Sequence, residues 1–316
     1  MNKRGALNFS GLFSGVRNPY DELSKLKVKD LMTKSVITVS QSRNLADAAH
    51  MMIGAQVGCL VVTDKGSQVG IITERDFIKK MNMSQESKKE LTVEDIMTKK
   101  IITAPPSTTL FEAHRIMKKN NFRKLVIAED GDIKGIITQS DLCKQLVRLK
   151  GSIIDAPLVH DVMTKKVFTV SPGDTFEEVK RLMAQKDMGS VVIEDGGAVL
   201  GMFTEFDIVS EYYMNPNRLR KSYMKDLMTS PVLCITPEFP LPSANKFMLE
   251  KNFRRLPILQ NGKIVGIITQ TDVARGLYDQ IEKTRDKKHQ GLWAPRQPKC
   301  VVVRKGNLML CELGKK

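Results

Sequence analysis

Four aspartates of this 316-residue chain recur in one setting. Asp76, Asp141, Asp207 and Asp272 each lie three residues after a threonine (Thr73, Thr138, Thr204 and Thr269), in the strings GIITERD, GIITQSD, GMFTEFD and GIITQTD. The apolar residues before each threonine read as a strand, and threonine followed by acidic residues is helix-start chemistry. A carboxylate in the first turn of a helix can accept hydrogen bonds from both hydroxyls of a ribose, the use that dinucleotide-binding folds make of an acid. The threonine hydroxyl and the free N–H groups of the same helix end make a ready phosphate site. Plainer roles compete for both: an acid there stabilises a helix N-terminus, and threonine is an ordinary N-cap. A second set of residues is basic. Arg123-Lys124 and Arg254-Arg255 stand at matching positions before a strand. Charge-assisted bonds from such residues to phosphate are among the stronger polar contacts, and a solvated basic edge is the alternative.

The elements that must carry these residues repeat. Four segments open alike, at Val28-Lys29-Asp30-Leu31-Met32-Thr33, Val93 to Thr98, Val159 to Thr164 and Met224 to Thr229, with spacings of 65, 66 and 65 residues. The four closing strings, from Gly70, Gly135, Gly201 and Gly266, keep the same spacings of 65, 66 and 65. Between the two landmarks each unit reads as strand, helix, strand, strand, helix. In the first copy Leu45, Ala48, Ala49 and Met52 fall on one face of a helix. Glycine turns such as Asp64-Lys65-Gly66 and Asn261-Gly262-Lys263 join the last two strands. Met52, Met117, Met183 and Met248 recur on the apolar helix face and are expected in the core. A unit of this size has a marginal core alone and needs another copy to cover its helices.

The copies alternate. Val57-Gly58-Cys59 and Met188-Gly189-Ser190 precede the middle strand in copies one and three, where copies two and four carry Phe122-Arg123-Lys124 and Phe253-Arg254-Arg255. The closing string alternates too, T-E-x-D against T-Q-x-D. An alternation of period two implies the pairs 1+2 and 3+4, with a hinge at Gly151, Ser152 and Pro157.

An opening D-h-M-T (h apolar), a short strand, and G-h-h-T-x-x-D about 42 residues later, four times in register, closely resemble the cystathionine-beta-synthase (CBS) domain. The resemblance implies an α/β chain of four tandem CBS domains (β-α-β-β-α) paired into two Bateman modules. The expected boundaries are an N-terminal arm 1–26, domains 27–82, 92–149, 158–214 and 223–280, and a basic tail 281–316. It further implies clefts between paired domains that hold adenosine compounds: AMP, ADP or ATP, with S-adenosylmethionine, NAD or coenzyme A as other candidates. By the same resemblance Arg75, Ser140 and Thr271, just before the aspartates, lie beside the phosphates. Phe206 at that position suits an anion poorly, so the third copy is the weakest site. Thr38, Thr103 and Thr169 on the first strands would lie on the adenine side, and the fourth copy has Cys234 there. The expected function is regulatory, a ligand-driven shape change passed to a protein partner, with no catalytic cofactor and no resident metal.

Composition supports a globular chain and argues against chemistry of bond cleavage. There is no P-loop string, no H-E-x-x-H helix, and the four histidines are scattered, so the chain is not expected to be an enzyme. The five cysteines are widely spaced with no C-x-x-C pair, which argues against disulfides or zinc. No apolar run is long enough to span a bilayer and no signal segment opens the chain; a cytoplasmic homodimer off the membrane is expected. Net charge is +15, and residues 281–316 hold ten Lys/Arg against three Asp/Glu. That tail motivates an alternative reading, a transcriptional regulator binding nucleic acid through its basic end. Within it, Cys300 to Val303 and Leu308 to Cys311 read as a β-hairpin that must dock on the body, a second copy or a partner.

Overall fold

The structure, a computed structural model, describes residues 18–81, 91–149, 153, 156–215, 219, 221–283, 285, 300–305 and 308–313, the last two stretches for their backbone. The hinge residues Gly151 and Ser152, residues 1–17 of the arm and most of the basic stretch 283–289 lie outside the described residues. A helix α1 (Pro19–Lys25), capped by Asn18 with Pro19 in its first turn, precedes the repeats. Copy one is β1 (Thr38–Ser40), α2 (Leu45–Gly54), β2 (Cys59–Asp64), β3 (Ser67–Thr73) and α3 (Glu74–Lys79). Copy two opens with the turn α4 (Val93–Ile96), then β4 (Thr103–Ala104), α5 (Leu110–Asn120), β5 (Lys124–Glu129), β6 (Asp132–Thr138) and α6 (Gln139–Arg148). Copy three follows with α7 (Val159–Val162), β7 (Thr169–Val170), α8 (Phe176–Gln185), β8 (Ser190–Asp195), β9 (Ala198–Thr204) and α9 (Glu205–Met214). Copy four comprises α10 (Met224–Leu227), β10 (Val232–Ile235), α11 (Leu241–Glu250), β11 (Arg255–Gln260), β12 (Lys263–Thr269) and α12 (Gln270–Lys283). The strand-helix-strand-strand-helix order expected from the repeat is thus present four times.

In every copy the first strand pairs parallel to the second and the second antiparallel to the third. The hairpin between the last two strands turns on two residues of positive φ, such as Asn261 and Gly262, the backbone that a two-residue turn between twisted strands requires. One register shift follows at the same place in all four, between Val62 and Thr63 in copy one and between Ile258 and Leu259 in copy four.

The landmark motifs bind copies into pairs. Thr33 exchanges backbone hydrogen bonds with Ile136 of copy two (2.9 and 3.0 Å), and Thr98 returns the contact to Ile71 of copy one (2.8 and 2.9 Å). Thr164 with Ile267 and Thr229 with Met202 repeat this between copies three and four. The methionine before each threonine fills the space over the partner's glycine. A Cβ on Gly135 would lie 2.6 Å from Met32 Sδ, and one on Gly266 would lie 2.5 Å from Met163 Sδ. Real atoms do not approach so closely, so the motif glycine and the motif methionine are two halves of one contact. The pairs 1+2 and 3+4 expected from the alternation are those observed.

The two modules then share cores crosswise. Apolar residues of copies one and three form one cluster, including Leu45, Met52, Phe77, Phe176, Met183 and Ile208. Copies two and four form the other, including Leu110, Met117, Leu142, Leu241, Met248 and Leu277. The four repeated methionines are fully buried, each worth roughly 1.5–3 kcal/mol of transfer from water. Helix α1 packs on α5 and α12 with Leu23 fully buried. The C-terminal hairpin, β13 (Cys300–Lys305) and β14 (Leu308–Leu313), docks on the body: β14 lies parallel to β10 and extends the fourth sheet to five strands.

Candidate ligand site

The threonine–aspartate pairs form a reciprocal helix cap in all four copies. Asp141 Oδ2 accepts from Thr138 N–H (3.0 Å) and Oγ1 (2.7 Å), and Asp272 Oδ2 accepts from Thr269 N–H (3.0 Å) and Oγ1 (2.7 Å). Asp76 and Asp207 hold Thr73 and Thr204 the same way, at 2.7 to 2.8 Å. One carboxylate oxygen is therefore committed to the fold, and only Oδ1 is left for other partners. In copy one that oxygen is also taken, by Thr98 Oγ1 at 3.0 Å and Lys80 Nζ at 2.8 Å. In copies two and four it meets the half-exposed cations Lys144 (3.0 Å) and Arg275 (2.5 Å). Burial pushes the Asp207 carboxyl above its ordinary value, more than its bonds to Thr204 pull it down.

A cavity of about 740 Å³ lies where the four copies meet. Thr138, Ser140 and Asp141 line it from copy two, opposite Val36, Ile37, Val57 and Gly58 of copy one. Thr269, Thr271 and Asp272 line it from copy four, opposite Val167, Phe168, Met188 and Gly189 of copy three. Arg75, Arg123, Lys124, Arg254 and Arg255 line its middle. The structure thus brings together two of the four Thr/Asp sets and all the basic candidates. Thr73, Asp76, Thr204, Asp207 and Phe206 are not on its wall. Thr38, Thr103 and Thr169 are exposed on their strands and also lie off the wall, where the preceding Val36 and Ile37, or Val167 and Phe168, stand instead. A strand alternates its faces, so the residue one step before the threonine is the one that turns inward. Cys234 differs from its three counterparts: it is fully buried, in an apolar cluster with Val192, Met202 and Leu259, and burial raises its thiol to about 12.

Sequence reasoning overlooked two glutamates. Glu74 and Glu205, the second residues of T-E-x-D, are 1% and 2% exposed. Glu74 pairs with Lys124 of its own module (3.4 Å) and Arg254 of the other (2.9 Å). Glu205 pairs with Arg255 of its own module (3.2 Å) and Arg123 of the other (2.5 Å). The first basic residue of each pair crosses to the other module and the second stays, so the arrangement has two-fold symmetry. Gly58 and Gly189 make room for it: a Cβ there would sit 2.7 Å from Glu74 Oε1 and 2.8 Å from Glu205 Oε2. Burial works against the Glu205 charge, but Arg123 and Arg255 outweigh it and hold the carboxyl well below the usual carboxylate range. Burial pulls Arg255 down in turn, and Glu205 offsets only part of that. The signal was in the sequence: Glu appears only where glycine precedes the middle strand, and Gln only where the basic pair does.

Nine Lys/Arg and four Asp/Glu stand among the described residues of the wall. Such a cavity favours an anion bearing several charges, with apolar walls at two symmetry-related ends and a carboxylate beside each.

The family model of the CBS domain matches residues 28–82, 93–148, 159–213 and 224–279. Protein MJ1225 of Methanocaldococcus jannaschii is 26% identical over 196 residues, covering 58% of this chain and 69% of its own. Its crystal structure superimposes with a TM-score of 0.72 at 21% identity, covering 79% of this chain and 99% of that one. Protein MJ0450 of the same organism is 38% identical over 148 residues, 43% of this chain and 80% of its own. A conserved protein from Pyrococcus horikoshii shares the fold at a TM-score of 0.55 and 19% identity, covering 80% of this chain and 100% of that one.

Proposed function

Because this chain belongs to the CBS domain family, with four copies forming two modules, we propose that it is a regulatory protein that binds an adenosine nucleotide in the central cavity and passes the resulting change of shape to a partner protein. The observation that carries this reading is the cavity of about 740 Å³ in which two Thr/Asp sets converge on a common patch of cations. Asp141 and Asp272 would take the ribose hydroxyls through Oδ1, displacing Lys144 and Arg275. Ser140, Thr271 and Arg75 would contact phosphates, with the four central cations behind them. Val36 and Ile37 at one end, and Val167 and Phe168 at the other, would flank the bases. MJ1225, the relative of highest TM-score given above, has been put forward as an archaeal homolog of g-AMPK. A ligand changes shape only to the extent that it binds the two shapes unequally, and a cavity walled by both modules meets that condition when they move relative to each other.

A melting panel with AMP, ADP, ATP, S-adenosylmethionine, NAD and coenzyme A tests the reading. At a hundredfold excess over Kd a ligand adds about 2.7 kcal/mol of stability, a rise of several degrees. Asp141→Ala and Asp272→Ala should each abolish one binding event, and Asp76→Ala and Asp207→Ala should abolish none. No melting response to any compound would reject the reading.

A further inference from the structure

At the centre of the molecule all four paired cations line the cavity, while of their carboxylates Glu74 reaches its wall and Glu205 lies off it. Side-chain exposure is 48% for Arg254 and 30% for Arg123, against 1% for Glu74 and 2% for Glu205. Two carboxylates serve four cations, so the group carries an excess of positive charge before any ligand phosphate is counted. The glutamates are seated with care: each lies in the space left by Gly58 or Gly189, and neither copy that supplies cations supplies a glutamate. Two of the four pairs, Arg123 with Glu205 and Arg254 with Glu74, cross between modules.

We infer that Glu74 and Glu205 are internal competitors for ligand phosphate, holding the cations of the cavity by ion pairs that a phosphate chain must displace. This rests on the nucleotide reading above and deepens it. Taking a cation from a buried carboxylate is costly, so one phosphate gains little from the exchange. A chain of phosphates can engage several cations at once and leave each glutamate its second partner. Affinity therefore climbs with phosphate number, and binding of a triphosphate weakens two of the ion pairs that join module 1+2 to module 3+4. The glutamates set which nucleotide is recognised and couple its arrival to the module boundary.

Isothermal titration of the full chain tests this, with adenosine, AMP, ADP, ATP and inorganic tripolyphosphate as probes. Glu74→Gln and Glu205→Gln should each tighten ATP and tripolyphosphate by at least about tenfold, the low end of measured coupling between close charge pairs, and leave adenosine unchanged. Asp132→Asn is the control for general charge: it removes a carboxylate that pairs with Lys134, away from the cavity wall. An equal gain in that variant, or unchanged ATP affinity in either folded glutamine variant, overturns the inference. Should a glutamine variant not fold, a structure of the native chain with ATP decides: Arg123 and Arg254 must have moved from their glutamates to phosphate, and retention of both pairs overturns it. If the native chain binds none of the nucleotides, the functional reading fails, and the competitor role is judged on tripolyphosphate with the same variants.

Discussion

A carboxylate has two oxygens, and in each of the four motif aspartates the fold takes one of them. Oδ2 closes the helix cap in every copy, so the cap and the ribose readings of Asp141 and Asp272 are compatible, one to each oxygen. The spacing of threonine and aspartate made the cap legible. The inequality of copy one was not legible, because Thr98, which occupies the second oxygen of Asp76, comes from another repeat. A different residue, His114, should contribute to the response to acid. His114 is 2% exposed, stacked on Tyr278 at 4.8 Å, with neither ring nitrogen hydrogen-bonded. Burial lowers its pKa to about 4, more than the nearby Asp279 raises it. Unfolded, the ring takes up a proton near pH 6.5, and folded only near pH 4. The unfolded state thus binds more protons between those values, and stability falls as pH drops through that window. From pH 7 to pH 5 the loss should be on the order of 2 kcal/mol. Denaturant melts at the two pH values should show it, and His114→Phe, which keeps the stacked ring, should remove most of the difference.

At the level of elements, periodicity carried the most. Strand alternation, the helical spacing of Leu45, Ala48, Ala49 and Met52, and the glycine turns located every repeat element, because local propensity and burial agree there. The motif methionine and glycine were visible as landmarks, but their mutual contact was not, since in each case it joins residues of different repeats. It makes a sharp prediction. Gly135→Ala drives a methyl group into Met32 and within 2.9 Å of the Thr33 carbonyl. Overpacking of this kind typically costs 1–3 kcal/mol, which chemical denaturation should detect. Adding Met32→Ala should recover part of that cost, and a double-mutant cycle should report a coupling between the two positions.

Across the whole molecule the modules lie with copy one against copy three and copy two against copy four, and that choice creates the cavity. It brings the basic pairs of copies two and four within reach of the glutamates of copies one and three. The fourth sheet differs from the others because the C-terminal hairpin covers β10. An uncovered edge strand is a template for pairing with another chain. A chain ending at residue 285 should therefore self-associate as concentration rises, measured by light scattering. Cys234, fully buried under this edge, should become reactive to a thiol reagent in that truncation and stay inert in the native chain, as mass spectrometry of the labelled protein would show. Among the described residues no helix is long and apolar enough to cross a membrane.

By itself the sequence determined four repeats, their internal order of strands and helices, and their pairing in twos. Those follow from local periodicity, turn chemistry and motif spacing, which a chain carries in one dimension. Only the tertiary structure decided which aspartates face a cavity, that two buried glutamates hold its cations, and how one module sits on the other. Each of these depends on groups from different repeats meeting in a desolvated space, where a few ångströms separate a bonded charge from a free one.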